Sequence, residues 1–321
     1  MDHSRPSIGV LLMAHGGPSS PEEVEPFLQK LLGRGVPAQR LRDAKRRYRL
    51  IGGGSPLLEI TLRQARALEE SLKAEDGGGR VYVGMRHWHP FIAESLGEII
   101  NDGIHRVVAL NLSPYQSAMS TEPYEQELGR AIAASGRGIE VSVAEGWHVH
   151  PLFLQAWAER VKEGLMQFPA EVRQRVHVIF SAHSLPKRAL AEDPYVEQLE
   201  ATIRGVVGIT GSLPWRLAFQ SGRSKRVEWL KPEVSTVLRE LIRGGHREVL
   251  IAPVGFVADN VETLYDIDIL YKQQAEEMGM SLRRSPCLND SRRFIQALSS
   301  IVREHLMGHA WGAHSETGVG N

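Results

Sequence analysis

Val178-Ile-Phe-Ser-Ala-His183-Ser-Leu-Pro186 lies near the middle of a chain of 321 residues. Its apolar and β-branched start runs straight into Ser181-Ala182-His183 and stops at a proline, the pattern of a buried parallel strand whose carboxyl end opens into a loop. Open α/β sheets bind ligands at such ends. A lone histidine there more commonly caps a loop. A second stretch changes the reading: Ala252-Pro-Val-Gly-Phe-Val-Ala-Asp259-Asn-Val-Glu262-Thr-Leu-Tyr-Asp266. Here a strand gives way to a helix with Asp259, Glu262 and Asp266 at i, i+3 and i+7, which predicts three carboxylates along one helical face. Unpaired like charges stacked in that way repel.

Working outward, strands alternate with helices on both sides. A strand over 8–14 ends in His15-Gly-Gly-Pro18. A helix follows from Ser20 as cap, with Pro21 in its first turn and Glu23 closing a capping box. A basic run from Arg40 to Arg49, most of it a solvated helix face, leads into Gly52-Gly-Gly-Ser55-Pro56 and a helix over about 57–73. Three more strands, near 81–85, 107–112 and 139–143, complete the first half. After a bridging helix over 152–165 the second half repeats the pattern, with strands near 176–181, 217–220, 249–253 and 281. The fold class is therefore α/β: two similar Rossmann-like lobes with parallel sheets and a cleft between them.

An internal duplication supports this. Ala14-His15-Gly16 echoes Ala182-His183-Ser184, and Glu98-Ile-Ile-Asn-Asp-Gly-Ile-His-Arg106 echoes Glu240-Leu-Ile-Arg-Gly-Gly-His-Arg247. The first half is the longer, and the excess falls on a lid-like insertion at about 34–60. The expected organisation is a first lobe over 1–150, a second over 151–309 whose C-terminal helix is placed to pack back on the first, and a disordered tail over 310–321.

Bulk composition excludes several classes. With 38 basic and 38 acidic side chains there is no global field to attract nucleic acid. The amino end lacks the layout of a secretory signal, and no stretch approaches the ~18 apolar residues of a membrane span. A cytoplasmic protein is expected, and an apolar rim for peripheral membrane contact is compatible with the sequence. The one cysteine, Cys287, permits no internal disulfide.

Phe-Ser-Ala-His-Ser-Leu-Pro at 180–186 and Gly-Phe-Val-x-Asp-x-x-Glu-x-Leu-Tyr-Asp at 255–266 resemble the paired signatures of ferrochelatases, which insert ferrous iron into a porphyrin. The resemblance extends over Leu11–Pro18, Tyr48–Pro56 and Ser221–Trp229, hence nearly the whole chain. It implies a chelatase-type duplication and a lyase of haem biosynthesis acting on protoporphyrin IX or coproporphyrin III. It further implies that His183 and Glu262 face each other across the macrocycle as the catalytic pair, with Asp259 and Asp266 completing a metal-ligand set. His15, Arg47, Tyr48, Ser55 and Tyr124 take the porphyrin contacts, and Arg34 is a further candidate.

The residue types suit these tasks. An imidazole with a pKa of ~6.5 accepts protons near neutrality and ligates borderline iron, and a carboxylate offers hard oxygen. Arg47 and Ser55 can hold ring propionates, and Tyr48 and Tyr124 can lie against the ring. His87 and His89 can join its wall, with Trp88 packing.

Three departures from the family pattern stand out. His15 occupies a place where several coproporphyrin-using relatives have a tyrosine that ligates product iron. Asn260 stands where histidine is frequent. Leu270 replaces an acidic residue, shortening the carboxylate ladder by one rung.

No prosthetic group is expected, with Fe2+ as substrate, and a single cysteine cannot supply the iron–sulfur cluster that some family members carry. The expected partners are porphyrin and ferrous iron, with a monomeric protein. Two other readings remain: a porphyrin or haem carrier without turnover, and a related chelatase inserting Co2+ or Ni2+ into another tetrapyrrole. A hydrolase built on Ser181 or Ser184 lacks the Gly-x-Ser-x-Gly elbow.

Overall fold

The apolar run Ile8–Ala14 forms β1, from which the first lobe is built. In the computed structural model, residues 8–33, 35–76, 79–190, 192–222 and 227–308 are described. The candidate Arg34, the 310–321 tail and part of the Ser221–Trp229 segment lie outside them.

Two four-stranded sheets share one strand order. The first is β2 (Arg80–Met85), β1, β3 (Arg106–Asn111) and β4 (Glu140–Ala144). The second is β6 (Trp215–Gln220), β5 (His177–His183), β7 (Glu248–Ala252) and β8 (Ser281–Arg284). Every pairing is parallel. The central strands β1, β3, β5 and β7 are buried nearly throughout, which is why their sequences read as continuous apolar runs. The register sets His183, the last residue of β5, beside Gln220, the last of β6. The residue after β6, Ser221, is thereby delivered to the same strand-end surface.

The lobes differ where the sequence is longer. Between β1 and α3 (Leu57–Asp76) the first lobe inserts α1 (Val24–Leu32) and α2 (Ala38–Leu50). In the second, β5 reaches the corresponding helix, Tyr195–Thr210, through a single 3-10 turn. The capping box expected at Ser20 is not formed. Glu23 Oε2 instead takes the Ser19 N–H at 2.8 Å and the Trp88 indole N–H at 2.9 Å, and the helix begins at Val24. A tertiary donor outcompetes the local cap.

One hydrophobic core runs through both lobes, from Leu12 and Leu110 through Trp157, Phe153 and Phe294 to Phe180 and Leu250. The bridging helix Pro151–Met166 and the last helix, Arg292–Gly308, pack on each other, and the last helix also packs on α3 and β4. Smaller clusters cover the outer face of each sheet, and a fourth, built on Val24, Phe27, Leu28 and Tyr48, packs under the insertion. Among the described residues no helix is long and apolar enough to cross a membrane.

Gly255 packs directly behind the His183 strand end. Its N–H bonds Ser181 O at 3.0 Å, and a Cβ placed on it would lie 2.7 Å from both Cα and Cβ of Ala182. Those atoms belong to a central strand and cannot swing aside. Gly255→Ala should cost about 1–3 kcal/mol of overpacking, read as a lower thermal midpoint. An unchanged midpoint would show that β5 yields locally.

Candidate active site

β5 carries His183 to the mouth between the lobes, where Tyr195 Oη donates to the His183 carbonyl at 3.0 Å. Burial first, then Tyr115 and the Glu262 and Asp193 carboxylates, push the Tyr195 phenol upward, so it remains a donor and fixes the strand end. The imidazole Nδ1 lies 2.9 Å from Glu262 Oε2. A carboxylate accepts, so Nδ1 carries the hydrogen and Nε2 is the ring nitrogen with the lone pair. The two sequence motifs, 79 positions apart, thus meet in one hydrogen bond.

Glu262 opens a π-helix, Glu262–Tyr271, that continues into a short α-helix, Lys272–Glu277. Asn260 starts it by accepting the Glu262 N–H at 2.8 Å through Oδ1. A π-helix bonds i→i+5, so its turn is wider than the α-helical one. Glu262 and Asp266, four residues apart, share a face of this helix, where Ser221 Oγ lies 2.9 Å from Glu262 Oε2 and 2.7 Å from Asp266 Oδ2. Ser221 is held for this contact in the left-handed region, at φ 67°. Its hydroxyl brings one hydrogen to two acceptors, so it links the carboxylates into one proton-sharing chain rather than saturating either.

Asp259 does not belong to that chain, and the expected ladder of three carboxylates on one face is corrected. It precedes the helix, with Oδ1 2.8 Å from Arg284 Nη1 and Oδ2 2.8 Å from Asn289 Nδ2. Burial raises its pKa, but Arg284, Asn289, Cys287 and Thr263 more than offset this and hold the carboxylate below its ordinary range. The four-member metal set His183, Glu262, Asp259 and Asp266 likewise does not converge: among the described residues no three His, Cys, Asp or Glu side chains are grouped to hold an ion. Arg284 holds Asp259, and Ser221 stands between Glu262 and Asp266.

The first lobe supplies the opposite wall. His15 follows β1 and donates Nδ1–H to Gly16 O at 2.9 Å, which again leaves the lone pair on Nε2. Its face is open to solvent, yet desolvation lowers its pKa, partly countered by the Gly16 carbonyl and by Glu262 across the cleft, while His183 lowers it further. Glu262 and His183 of the second lobe are thus near enough to His15 for its imidazole to feel their charge. His87 stacks on His15 at 4.5 Å between ring centroids, and its pKa is pushed down to about 3, chiefly by burial and then by His15, Arg86 and Lys30. Both imidazoles of this wall are thus shifted toward the neutral form.

The other expected porphyrin contacts are more deeply set. Arg47 Nη1 is 3.8 Å from Asp266 Oδ1, beyond hydrogen-bond reach, and its guanidinium lies 5.1 Å from the Tyr265 ring centroid. That buried nitrogen has no hydrogen-bond acceptor among the described residues. Ser55 is buried, with its Oγ accepting the Leu57 N–H at 3.3 Å at the start of α3. Tyr48 and Tyr124, expected to lie against the ring, offer little surface to it. Each is only 6% exposed, Tyr48 in the cluster under the insertion and Tyr124 in the outer core of the first sheet. Arg86 lies over the Tyr124 ring, 5.6 Å from its centroid. Trp88 packs edge-on to Phe27, and His89 turns away to pair with Glu94.

A cavity of about 510 Å3 lies elsewhere on the lobe boundary, lined by Gln116, Ser117, Glu125, Glu145 and Asp193 among others. Burial and the neighbouring Glu145 push Glu125 up to about 7. An acidic wall without imidazole suits neither a porphyrin carboxylate nor pyrrole deprotonation, and the His183–Glu262 side of the boundary carries the chemistry.

Two parallel sheets of identical order, with a histidine at the end of β5 bonded to the helical carboxylate of Glu262, define a two-lobed α/β protein of the chelatase type. SirB from Bacillus subtilis with Fe3+ superposes with a TM-score of 0.60 at 12% identity, over 93% of this chain and 95% of that one. The sirohydrochlorin chelatase SirB from Bacillus subtilis subspecies spizizenii, in complex with cobalt, gives 0.58 at 14%, over 94% and 96%. At such identities the likeness is one of fold. The sequence goes further: the Ferrochelatase family model matches residues 7–306. A ferrochelatase of Geotalea uraniireducens is 40% identical over 92% of this chain and 97% of its own, and the coproporphyrin III ferrochelatase of Geobacillus kaustophilus is 38% identical over 92% and 94%. The chain belongs to the ferrochelatase family.

Proposed function

We propose that this chain inserts Fe2+ into a porphyrin bearing several carboxylates, with His183 and Glu262 as the metal-and-proton pair and Asp266 as the next station. The observation that carries the reading is the 2.9 Å bond from His183 Nδ1 to Glu262 Oε2. It orients Nε2 toward the cleft as an iron ligand and proton acceptor, and it stabilises the imidazolium formed when a proton arrives. In the reaction two pyrrole N–H bonds break, iron takes the place of both hydrogens without changing oxidation state, and two protons leave. The chain from Glu262 through Ser221 to Asp266 offers an exit for them.

The first-lobe wall works as a neutral counterpart. His15 and His87 are both pushed toward the neutral form, which limits repulsion of an incoming dication, with the cations of Lys30 and Arg86 near them and Arg47 beside Asp266. That supply of cations favours the tetracarboxylate coproporphyrin over the dicarboxylate protoporphyrin. No prosthetic group takes part in the chemistry so written, and the protein acts as a monomer.

Anaerobic Fe2+ insertion into the two porphyrins side by side, followed by loss of free-porphyrin fluorescence, tests the reading. Turnover should be faster with coproporphyrin, and Arg47→Ala should weaken porphyrin affinity while largely sparing the insertion rate. Faster turnover with protoporphyrin would overturn the choice of substrate. Binding of both without turnover would make the chain a carrier.

A further inference from the structure

Arg284 is the last residue of β8, the edge strand of the second sheet, and its side chain is 13% exposed. All three guanidinium nitrogens are used. Nε and Nη2 grip the two oxygens of Asp268 at 2.8 Å each, and Nη1 donates to Asp259 Oδ1 at 2.8 Å. Asp259 lies before Glu262 and Asp268 after Asp266, so one guanidinium holds both flanks of the stretch that carries the two site carboxylates. The first flank is pinned again by Asn289, itself in the left-handed region at φ 46°, whose side chain takes the Asp259 N–H at 2.9 Å and donates to Asp259 Oδ2 at 2.8 Å.

That stretch needs such a restraint. A π-helix is rare and seldom longer than one turn, whereas this one runs over 10 residues. Four carboxylates also crowd it, those of Asp259, Glu262, Asp266 and Asp268. Pairing two of them with Arg284 removes their mutual repulsion and leaves Glu262 and Asp266 as the pair bridged by Ser221. A planar fork fixes direction as well as charge, which a lysine would not do.

We propose that Arg284 is a positioning residue for iron insertion: by clamping Asp259 and Asp268 it sets the wide turn that holds Glu262 and Asp266 at one Ser221 hydroxyl. This rests on the assignment of Glu262 and Asp266 to iron and proton handling. Arg284 touches neither substrate, and its effect passes through the helix.

Arg284→Lys, Asp268→Asn and Glu262→Gln, made in the full chain, test the inference. The readouts are kcat, KM for Fe2+, coproporphyrin affinity by fluorescence and the thermal midpoint. Arg284→Lys should lower kcat by about 10–100-fold and raise KM for Fe2+, with porphyrin affinity within about twofold of the unaltered chain. Asp268→Asn, which spares the Asp259 pair, should do the same to a smaller extent. A folded Arg284→Lys with unchanged kcat and KM for Fe2+ overturns the inference, as does a kcat that falls only in step with lost porphyrin binding. If Arg284→Lys does not fold, Asp268→Asn decides by the same criteria. Loss of insertion in Glu262→Gln with none in Asp268→Asn sinks the clamp alone, whereas unaltered insertion in Glu262→Gln sinks the site assignment and the clamp with it.

Discussion

Replacing His183 with alanine is expected to lower iron insertion by about 10²–10⁴-fold, the usual worth of a positioned acid–base group, and to leave porphyrin affinity within about twofold. The asymmetry follows from geometry. His183 stands at a strand end with its side chain 39% exposed, so its removal opens no cavity in the core. Its loss takes away both the Nε2 lone pair and the hydrogen that Nδ1 gives to Glu262 Oε2. The carboxylate keeps Ser221 at 2.9 Å but loses the group that aims it at the cleft. The measurement is anaerobic insertion under saturating porphyrin, with affinity followed separately by fluorescence. Insertion within about twofold of the unaltered chain would remove His183 from the chemistry. A chain that shows no insertion before or after the change is a carrier.

The lobes were legible because parallel strands buried on both faces have to be apolar throughout, and β1 and β5 carry their histidines just where those runs end. The duplicated Ala-His pattern likewise points to two similar lobes, and the two sheets share one strand order. Local signals failed where a distant group intervened. Ser20, Pro21 and Glu23 spell a helix start, yet the indole of Trp88, 65 positions on, draws the Glu23 carboxylate into a different set of bonds. No window of sequence contains that competitor.

The site shows the same division. His183 and Glu262 stand in long motifs, and their types suit metal and proton chemistry without reference to neighbours. The carboxylate ladder fails at Asp259, which precedes the π-helix Glu262–Tyr271 and lies on none of its faces, whereas Glu262 and Asp266, four apart, share a face as their spacing implies. Asp259 has the residue type of a ligand, but Arg284 holds its carboxylate. Ser221 opens the Ser221–Trp229 segment of the family resemblance and lies directly after β6, the partner strand of β5, but neither sign pairs it with Glu262 and Asp266. Arg284 left none, since nothing in an Arg-Arg pair near a chain end predicts which carboxylates it will reach.

Glu262→Gln isolates the charge of that carboxylate from its shape. The amide is nearly isosteric, its oxygen can still accept the His183 Nδ1–H, and Asn260 still receives the backbone N–H at position 262 through the 2.8 Å bond that starts the π-helix. What disappears is a negative charge facing the cleft and an oxygen able to take up a proton. Iron insertion should therefore fall by about 100-fold or more, equivalent to about 2.7 kcal/mol at the transition state, with KM for Fe2+ raised and porphyrin affinity unchanged. Asp266→Asn should cost less, since Asp266 is one hydroxyl further from the imidazole and its side chain is only 5% exposed. A ranking with Asp266→Asn the more damaging would place the decisive charge beyond Ser221, at the buried end of the chain. Equal and small effects from both would mean that the His183 imidazole alone takes the protons and passes them directly to water.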